Sequence, residues 1–250
     1  MPYSVTGIDL VSTNSSDNLL NSDSTGAKFS ADGTKIVFSS KSAGGSYDVY
    51  IKDLSTGTLT QVTFSGNGDS LKAGFNSTGT KIIFESDASN LIGTDTNNVR
   101  DVFVYDISGG TTTRVSVDSA GNQLTGASKD ASFFSGSNSI IFTSNDSNLV
   151  SGDTNGVNDI FTKNLTTGAV SRVSTTPLGN EANGEIAQLT TSDVGFAFLS
   201  TASNLVSDDT NGIQDLFIKS LASNGVGRVN TSSIGQQATD GTISSFAWSA

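Results

Sequence analysis

One pattern recurs four times in register along this chain and limits its folding more than any other feature. Four apolar runs align on a phenylalanine: Ile36-Val37-Phe38-Ser39-Ser40, Ile82-Ile83-Phe84-Glu85-Ser86, Ile140-Ile141-Phe142-Thr143-Ser144 and Phe196-Ala197-Phe198-Leu199-Ser200. Upstream of each lies a second aligned run, marked by Ala27/Phe29, Ala73/Phe75, Ala131/Phe133 and Ala187/Leu189, with turn residues such as Ala31-Asp32-Gly33 between the two. Downstream comes a run that opens on aspartate: Asp48-Val49-Tyr50, Asp101-Val102-Phe103, Asp159-Ile160-Phe161 and Asp215-Leu216-Phe217. A Gly-bearing turn leads to the last run, Gln61-Val62-Thr63, Arg114-Val115-Ser116, Arg172-Val173-Ser174 or Arg228-Val229-Asn230.

Each repeat thus reads as four short strands over roughly 46–58 residues, the length of one β-propeller blade. The second and third strands are nearly continuous apolar runs, as expected of strands buried on both faces. Blades stacked face to face around an axis bury their middle strands in this way, whereas a two-sheet sandwich gives apolar-polar alternation. The fourth strands (Thr112 to Val117, for example) alternate, as exposed outer strands do. No segment carries apolar residues at helical spacing. The expected fold is all-β: a propeller, or a fragment of one, built from four-stranded antiparallel blades. We read a single domain over 1–250, with blades at about 27–64, 73–117, 131–175 and 187–230. Segment 5–12 reads as an outer strand with no blade before it, and 241–248 as an inner strand with none after it. The expectation is four complete blades plus an incomplete one. Segment 13–26 matches the later inter-blade connections 118–128 and 176–186.

The order of these elements resembles the TolB-like β-propeller repeats of bacteria. The resemblance rests on the inner strand, the Asp-Gly or Thr-Gly turn and the strand ending Phe-x-Ser. It continues through Asp-[Val/Ile/Leu]-[Phe/Tyr], a second Gly turn and a strand ending Arg-Val-Ser, over about residues 5–248. It implies a fold and leaves function open, since propellers host many activities. Family members include periplasmic interaction proteins, propellers appended to peptidases and modules of large secreted proteins. The long loops here look most like the last group.

Composition removes several chemistries. With no His among 250 residues, the commonest general base and transition-metal ligand are missing, and a Ser-His-Asp triad is excluded. With no Cys there is no disulfide framework and no thiolate metal site. A formal net charge of -11 argues against nucleic-acid binding, which needs cations to displace counterions from phosphate. No apolar run approaches the length of a membrane-spanning helix, so no membrane insertion is expected. The amino terminus carries neither a basic segment nor an apolar signal core, which suits a cytosolic protein, a processed one, or one exported without such a signal. The acidic, Ser/Thr/Asn/Gly-rich composition resembles that of bacterial secreted surface proteins, so an extracellular or cell-surface location is expected.

The candidate site lies in the long loops between second and third strands. Asp95, Asn97 and Asp101 recur as Asp153, Asn155 and Asp159 and again as Asp209, Asn211 and Asp215. Hard cations take several oxygen ligands from flexible loops, so calcium is the candidate metal. The spacing is reminiscent of calcium loops in integrin-type propellers, though shorter and without a third carboxylate. The alternative is turn chemistry: Asp, Asn and Gly reach left-handed backbone angles and cap their own amides. Blade 1 lacks Asp-Thr-Asn in its loop 42–46 but keeps Asp48, which makes the strand-start aspartates structural, bound to backbone amides or an arginine. Arg114, Arg172 and Arg228 recur at one strand position and read as a cationic ring for a ligand or, in preference, as partners of nearby aspartates. Lys35 and Lys81 read as solvated, and Glu85, Glu181 and Glu185 are too few to suggest glycosidase chemistry. Trp248 and the tyrosines are too scattered for a sugar-stacking platform.

The functional expectation is a non-enzymatic extracellular structural or adhesive module that assembles with protein partners or with itself. The alternative expectation is a calcium-stabilised propeller that binds a ligand or glycan.

Overall fold

The computed structural model describes residues 11–13, 16, 20, 23–41, 45–64, 66–93, 95–134, 138–192, 195–238, 243 and 246. Among the described residues, sixteen strands form four four-stranded sheets, each an antiparallel meander in chain order. Blade 1 is β1 (Ser24–Phe29), β2 (Lys35–Lys41), β3 (Tyr47–Asp53) and β4 (Leu59–Gln61). Blade 2 is β5 (Ser70–Phe75), β6 (Lys81–Ser86), β7 (Asp101–Asp106) and β8 (Thr111–Arg114). Blade 3 is β9 (Ser128–Phe134), β10 (Ser139–Ser144), β11 (Asp159–Asn164) and β12 (Val170–Arg172). Blade 4 is β13 (Ile186–Thr191), β14 (Gly195–Ser200), β15 (Asp215–Ser220) and β16 (Val226–Arg228). The described residues contain no helix.

The continuous apolar runs lie where two-sided burial requires. Each second strand has at least five consecutive buried residues, and its phenylalanine packs against the aromatic ring of the third strand. Ring centroids lie 5.8 Å apart in Phe38–Tyr50, 5.5 Å in Phe84–Phe103, 6.0 Å in Phe142–Phe161 and 5.8 Å in Phe198–Phe217. These offset pairs stabilise by about 1 kcal/mol beyond their burial. Each core is shared between consecutive blades. Val37, Val49, Ile51 and Val62 of blade 1 meet Ala73, Ile82, Phe84 and Phe103 of blade 2. Ile83, Val102, Val104 and Val115 meet Ile140, Phe142 and Phe161. Ile141 and Ile160 meet Phe196, Phe198 and Phe217. A blade therefore has two unlike faces: an outgoing face of branched aliphatic residues and an incoming face of stacked rings.

Two local features differ from the sequence reading. The fourth strands end at the arginine (Gln61 in blade 1) and do not run through Val-Ser. The amides of Val115 and Ser116 both point at the carbonyl of Val102, and the Val102 amide donates to Ser116 Oγ at 3.0 Å instead of to a backbone oxygen. The ladder ends where a side chain takes over. Each first strand also carries a bulge, at Gly26, Lys72, Asp130 and Gln188, all with positive φ. Of these only glycine adopts that backbone without strain.

Of the expected opening strand 5–12, only Val11 and Ser12 are described, and of the closing strand 241–248 only Ile243 and Phe246; the remainder lies outside the described residues, as do residues 42–44. Val11 and Thr13 are nonetheless informative. The Thr13 amide donates to Val11 O, as those of Val117, Thr175 and Thr231 do to Val115, Val173 and Val229 after the fourth strands of blades 2 to 4.

Candidate functional site: the Asp-Thr-Asn loops

Each long loop has a left-handed residue directly after the asparagine, Asn98, Gly156 or Gly212. Asn and Gly are the residue types that tolerate this conformation. The preceding Asn side chain organises the turn. Asn155 Oδ1 accepts the amide of Val157 at 3.0 Å, while Asn155 Nδ2 donates to Asp159 Oδ2 at 3.0 Å and to the carbonyl of Ala182 at 2.9 Å. Asn97 makes the same three bonds to Val99, Asp101 and Leu124, and Asn211 to Ile213, Asp215 and Ala238. The carbonyl acceptor always lies in the connection that leads out of the blade, so the loop ties its own strand to the chain entering the next blade.

The strand-start aspartates are buried and fully engaged. Asp101 Oδ1 accepts from Ser116 Oγ at 2.6 Å, and Asp159 and Asp215 accept in the same way from Ser174 and Asn230. In blade 1 Asp48 takes Thr63 Oγ1 at 2.8 Å and Gln61 Nε2 at 3.1 Å. The residue two positions after the arginine thus bridges a buried carboxylate and a third-strand amide in all four blades. Its alcohol or amide side chain (Thr63, Ser116, Ser174, Asn230) was visible in the sequence, but its role was not.

The arginines fill the centre of each loop. Arg114 Nη1 lies 3.4 Å from Asp95 and 3.6 Å from Asp101. Arg172 Nη1 lies 3.6 Å from Asp153, 3.7 Å from Asp159 and 2.5 Å from Glu181. Arg228 Nη1 lies 3.5 Å from Asp209 and 3.7 Å from Asp215. All nine sequence-predicted residues are therefore brought together in three equivalent sites, each around a guanidinium. A further residue, unforeseen in the sequence, completes each site from the outgoing connection: Gln123, Glu181 or Gln237. It accepts the loop amide of Thr96, Thr154 or Thr210 at 3.3, 3.0 and 3.1 Å.

Blade 3 differs in charge. Glu181 replaces glutamine, so Asp153, Asp159 and Glu181 place three carboxylates with ligand atoms within 4.8 Å of one another. Burial, then the neighbouring Asp159 and Glu181, push the Asp153 carboxyl up to about 6 against the pull of Arg172. Burial likewise raises Asp101, Asp159 and Asp209. Calcium takes six to eight oxygen ligands. Here each asparagine commits its oxygen to the loop amide and turns its nitrogen to the aspartate, and the guanidinium supplies the positive charge. The donor set as arranged does not fit calcium.

A second charged cluster joins blades 2 and 3. Lys72 Nζ lies 2.8 Å from Asp130 and 3.7 Å from the buried Glu85, and Arg100 lies 3.6 Å from Glu85 and 2.6 Å from Asp87. Acids from two blades do meet here, but each faces a cation. Buried lysines form a third recurrent feature. Lys163 Nζ donates to the carbonyls of Val117 at 2.8 Å and Asp118 at 3.0 Å, Lys219 to Thr175 O at 2.5 Å, and Lys52 to Thr13 O at 3.3 Å.

No known family's sequence profile matches the chain, and no curated protein matches it. Solved structures do. A putative TolB from Agrobacterium tumefaciens matches with a TM-score of 0.56 and 16% identity, over 81% of this chain and 63% of that one. TolB from Acinetobacter baumannii matches with a TM-score of 0.54 and 21% identity, over 86% of this chain and 45% of that one. The tricorn protease matches with a TM-score of 0.59 and 12% identity, over 85% of this chain and 23% of that one. This chain thus spans under two thirds of the length of the TolB chains it resembles. At these identities the likeness is one of architecture, and the architecture is that of a TolB-like β-propeller.

Proposed function

We propose that this chain is a non-enzymatic, extracellular or cell-surface propeller module that works by protein–protein assembly. The supporting observation is the contrast between its charged and its apolar groups. The clustered acids and cations described above are engaged in ion pairs and hydrogen bonds between or within blades. Several of the exposed large apolar side chains stand at edges and tips. Leu178 and Ile234 occupy the same tip position in successive connections and are 89% and 77% exposed. β1 is exposed along its whole length, with Phe29 65% exposed. Groups arranged in this way suit shape-based contact better than catalysis.

A calcium-stabilised ligand- or glycan-binding propeller is the second reading; its one support is the convergence of Asp153, Asp159 and Glu181, and it requires Asn155 and Arg172 to turn away from those carboxylates. Sedimentation velocity over a wide concentration range tests the assembly reading. Reversible self-association is expected. A monomer at every concentration, together with glycan-array binding lost in Asp209→Ala, would replace it with the second reading.

A further inference from the structure

Two of the three blade junctions hold an arm of chain between neighbouring blades, and the third does not. Between blades 2 and 3 the arm is Val117-Asp118-Ser119. Lys163 Nζ of blade 3 donates to the carbonyls of Val117 and Asp118 at 2.8 and 3.0 Å, and the amide of Val170 donates to Ser119 Oγ at 3.3 Å. Between blades 3 and 4 the arm is Thr175-Thr176-Pro177. Lys219 Nζ donates to the carbonyl and hydroxyl of Thr175 at 2.5 and 2.8 Å, and Asn224 Nδ2 donates to the carbonyl of Pro177 at 3.1 Å. Each arm shows its carbonyls to a buried lysine of a third strand, then folds back through the Val117–Gln123 or Thr175–Glu181 bridge.

The junction between blades 1 and 2 is built differently. The chain runs from Gln61 to Ser70 there, a shorter path than Arg114 to Ser128 or Arg172 to Ile186 at the other two. Tyr105 stands in the register of Lys163 and Lys219. A cleft of about 270 Å³ lies beside it, lined from blade 1 by Lys35, Ile51, Thr58 and Thr60 and from blade 2 by Tyr105 and Ile107. Both walls belong to complete blades. Tyr105 and Ile107 pack against the core that Val49, Ile51 and Val62 share with blade 2. Thr60 is the cross-strand neighbour of Ile51 and faces the same gap. The polar lining offers donors. The half-buried Tyr105 hydroxyl bonds no other described residue, and Lys35 Nζ has one long contact, to Thr34 Oγ1 at 3.3 Å. The carboxylate at the rim, Asp53, is committed to the Ser55 and Thr56 amides at 2.9 and 3.0 Å.

We propose that this cleft receives a short segment of a partner polypeptide, in the place that the fold's own arms take at the other two junctions. This rests on the assembly reading and names one contact for it. The arms define the occupant: a stretch the length of Thr175-Thr176-Pro177, with small or hydroxyl-bearing side chains and consecutive carbonyls turned to the blade. Lys35 and the Tyr105 hydroxyl donate to those carbonyls, and Ile51, Tyr105 and Ile107 hold the side chains. Tyrosine suits a site that is filled and emptied. A lysine there would be left without acceptors whenever the segment departed, whereas a phenol rests on the apolar floor with its hydroxyl in water.

Titration of the full chain with a synthetic peptide of the sequence Ser174–Glu181, followed by amide NMR shifts, tests this. Shifts should be confined to residues 51–60 and 105–112 and saturate in the millimolar range. Thr60→Trp, which fills the cleft from an exposed position, should abolish them with circular dichroism and melting temperature retained. Tyr105→Lys, which restores the lysine of the other junctions, should tighten binding roughly threefold to tenfold. Shifts that survive Thr60→Trp, or a peptide without effect on these residues, would overturn the proposal. So would shifts produced there by maltose and not by the peptide, which would mark a glycan site. Sedimentation velocity on the same samples keeps the two readings apart. Association without peptide binding retains assembly and removes this cleft from it, while peptide binding by a monomer retains the cleft and assigns it to a different partner protein.

Discussion

The junction between blades 1 and 2 differs from that between blades 3 and 4 in more than length. Both share a common strut. Asn67 donates through its side chain to Ser89 and accepts the Ser89 amide, and Asn183 does the same with Ser203. In both, a glycine allows close approach: a Cβ on Gly68 would lie 2.6 Å from the Asp87 backbone, and one on Gly184 would lie 2.5 Å from the Ala202 backbone. Only the second junction adds an Asp-Thr-Asn loop, an arginine and a turned-back connection closed by the Thr175–Glu181 bridge. These additions occur together because each completes the other: the loop supplies donors and carboxylates, and the connection supplies the carbonyl and Glu181. The short junction lacks both partners. It also lacks the carbonyls that receive a buried lysine, and there Tyr105 stands in register with Lys52, Lys163 and Lys219. The loop is thus a latch added to a strut, and its acids belong to the latch.

The largest effect should come from the centre of the latch. Arg172→Ala leaves three carboxylates around an empty centre and should cost about 3–5 kcal/mol in urea unfolding. Gln61→Ala, at the same position in the short junction, should cost only about 1–2 kcal/mol. Equal losses would show that the latch adds nothing to the strut. Next comes Asn155→Ala, which leaves the Val157 amide and the Ala182 carbonyl without their side-chain partner. A loss of about 1–3 kcal/mol is expected, with faster hydrogen exchange at Val157 and in the 175–183 connection. Exchange unchanged in that connection would separate loop from junction.

The smallest effect concerns pH and has the opposite sign. Because burial raises Asp153 in the folded protein to about 6 from an ordinary 3.8, the folded state keeps its proton where the unfolded chain has released it. Stability from this group is fully present below the ordinary value and is lost as pH rises through about 6. Asp153→Asn should therefore gain about 1–2 kcal/mol at pH 7 and flatten the slope between pH 4 and 6. A variant less stable than the wild type at pH 7 would mean that the Arg172 contact outweighs the crowding of acids.

The blades were legible in the sequence because two-sided burial writes continuous apolar runs, and those runs repeat in register. The pairing of aspartate with arginine was legible too, since Gln61 in blade 1 marked the position as replaceable. The bulges were not, because Gly, Lys, Asp and Gln occupy the same left-handed position with no shared chemistry. Nor was the third member of the latch: Gln123, Glu181 and Gln237 lie 27 residues beyond their threonine partners, in a segment that reads as a polar linker.

The central claim is that the charge of an arginine, and not a metal ion, neutralises each Asp-Thr-Asn loop. Thermal unfolding of the wild type in millimolar calcium and in excess chelator tests it most directly. The melting temperature should be the same in both. A rise of several degrees with calcium, abolished in Asn155→Ala, would contradict it.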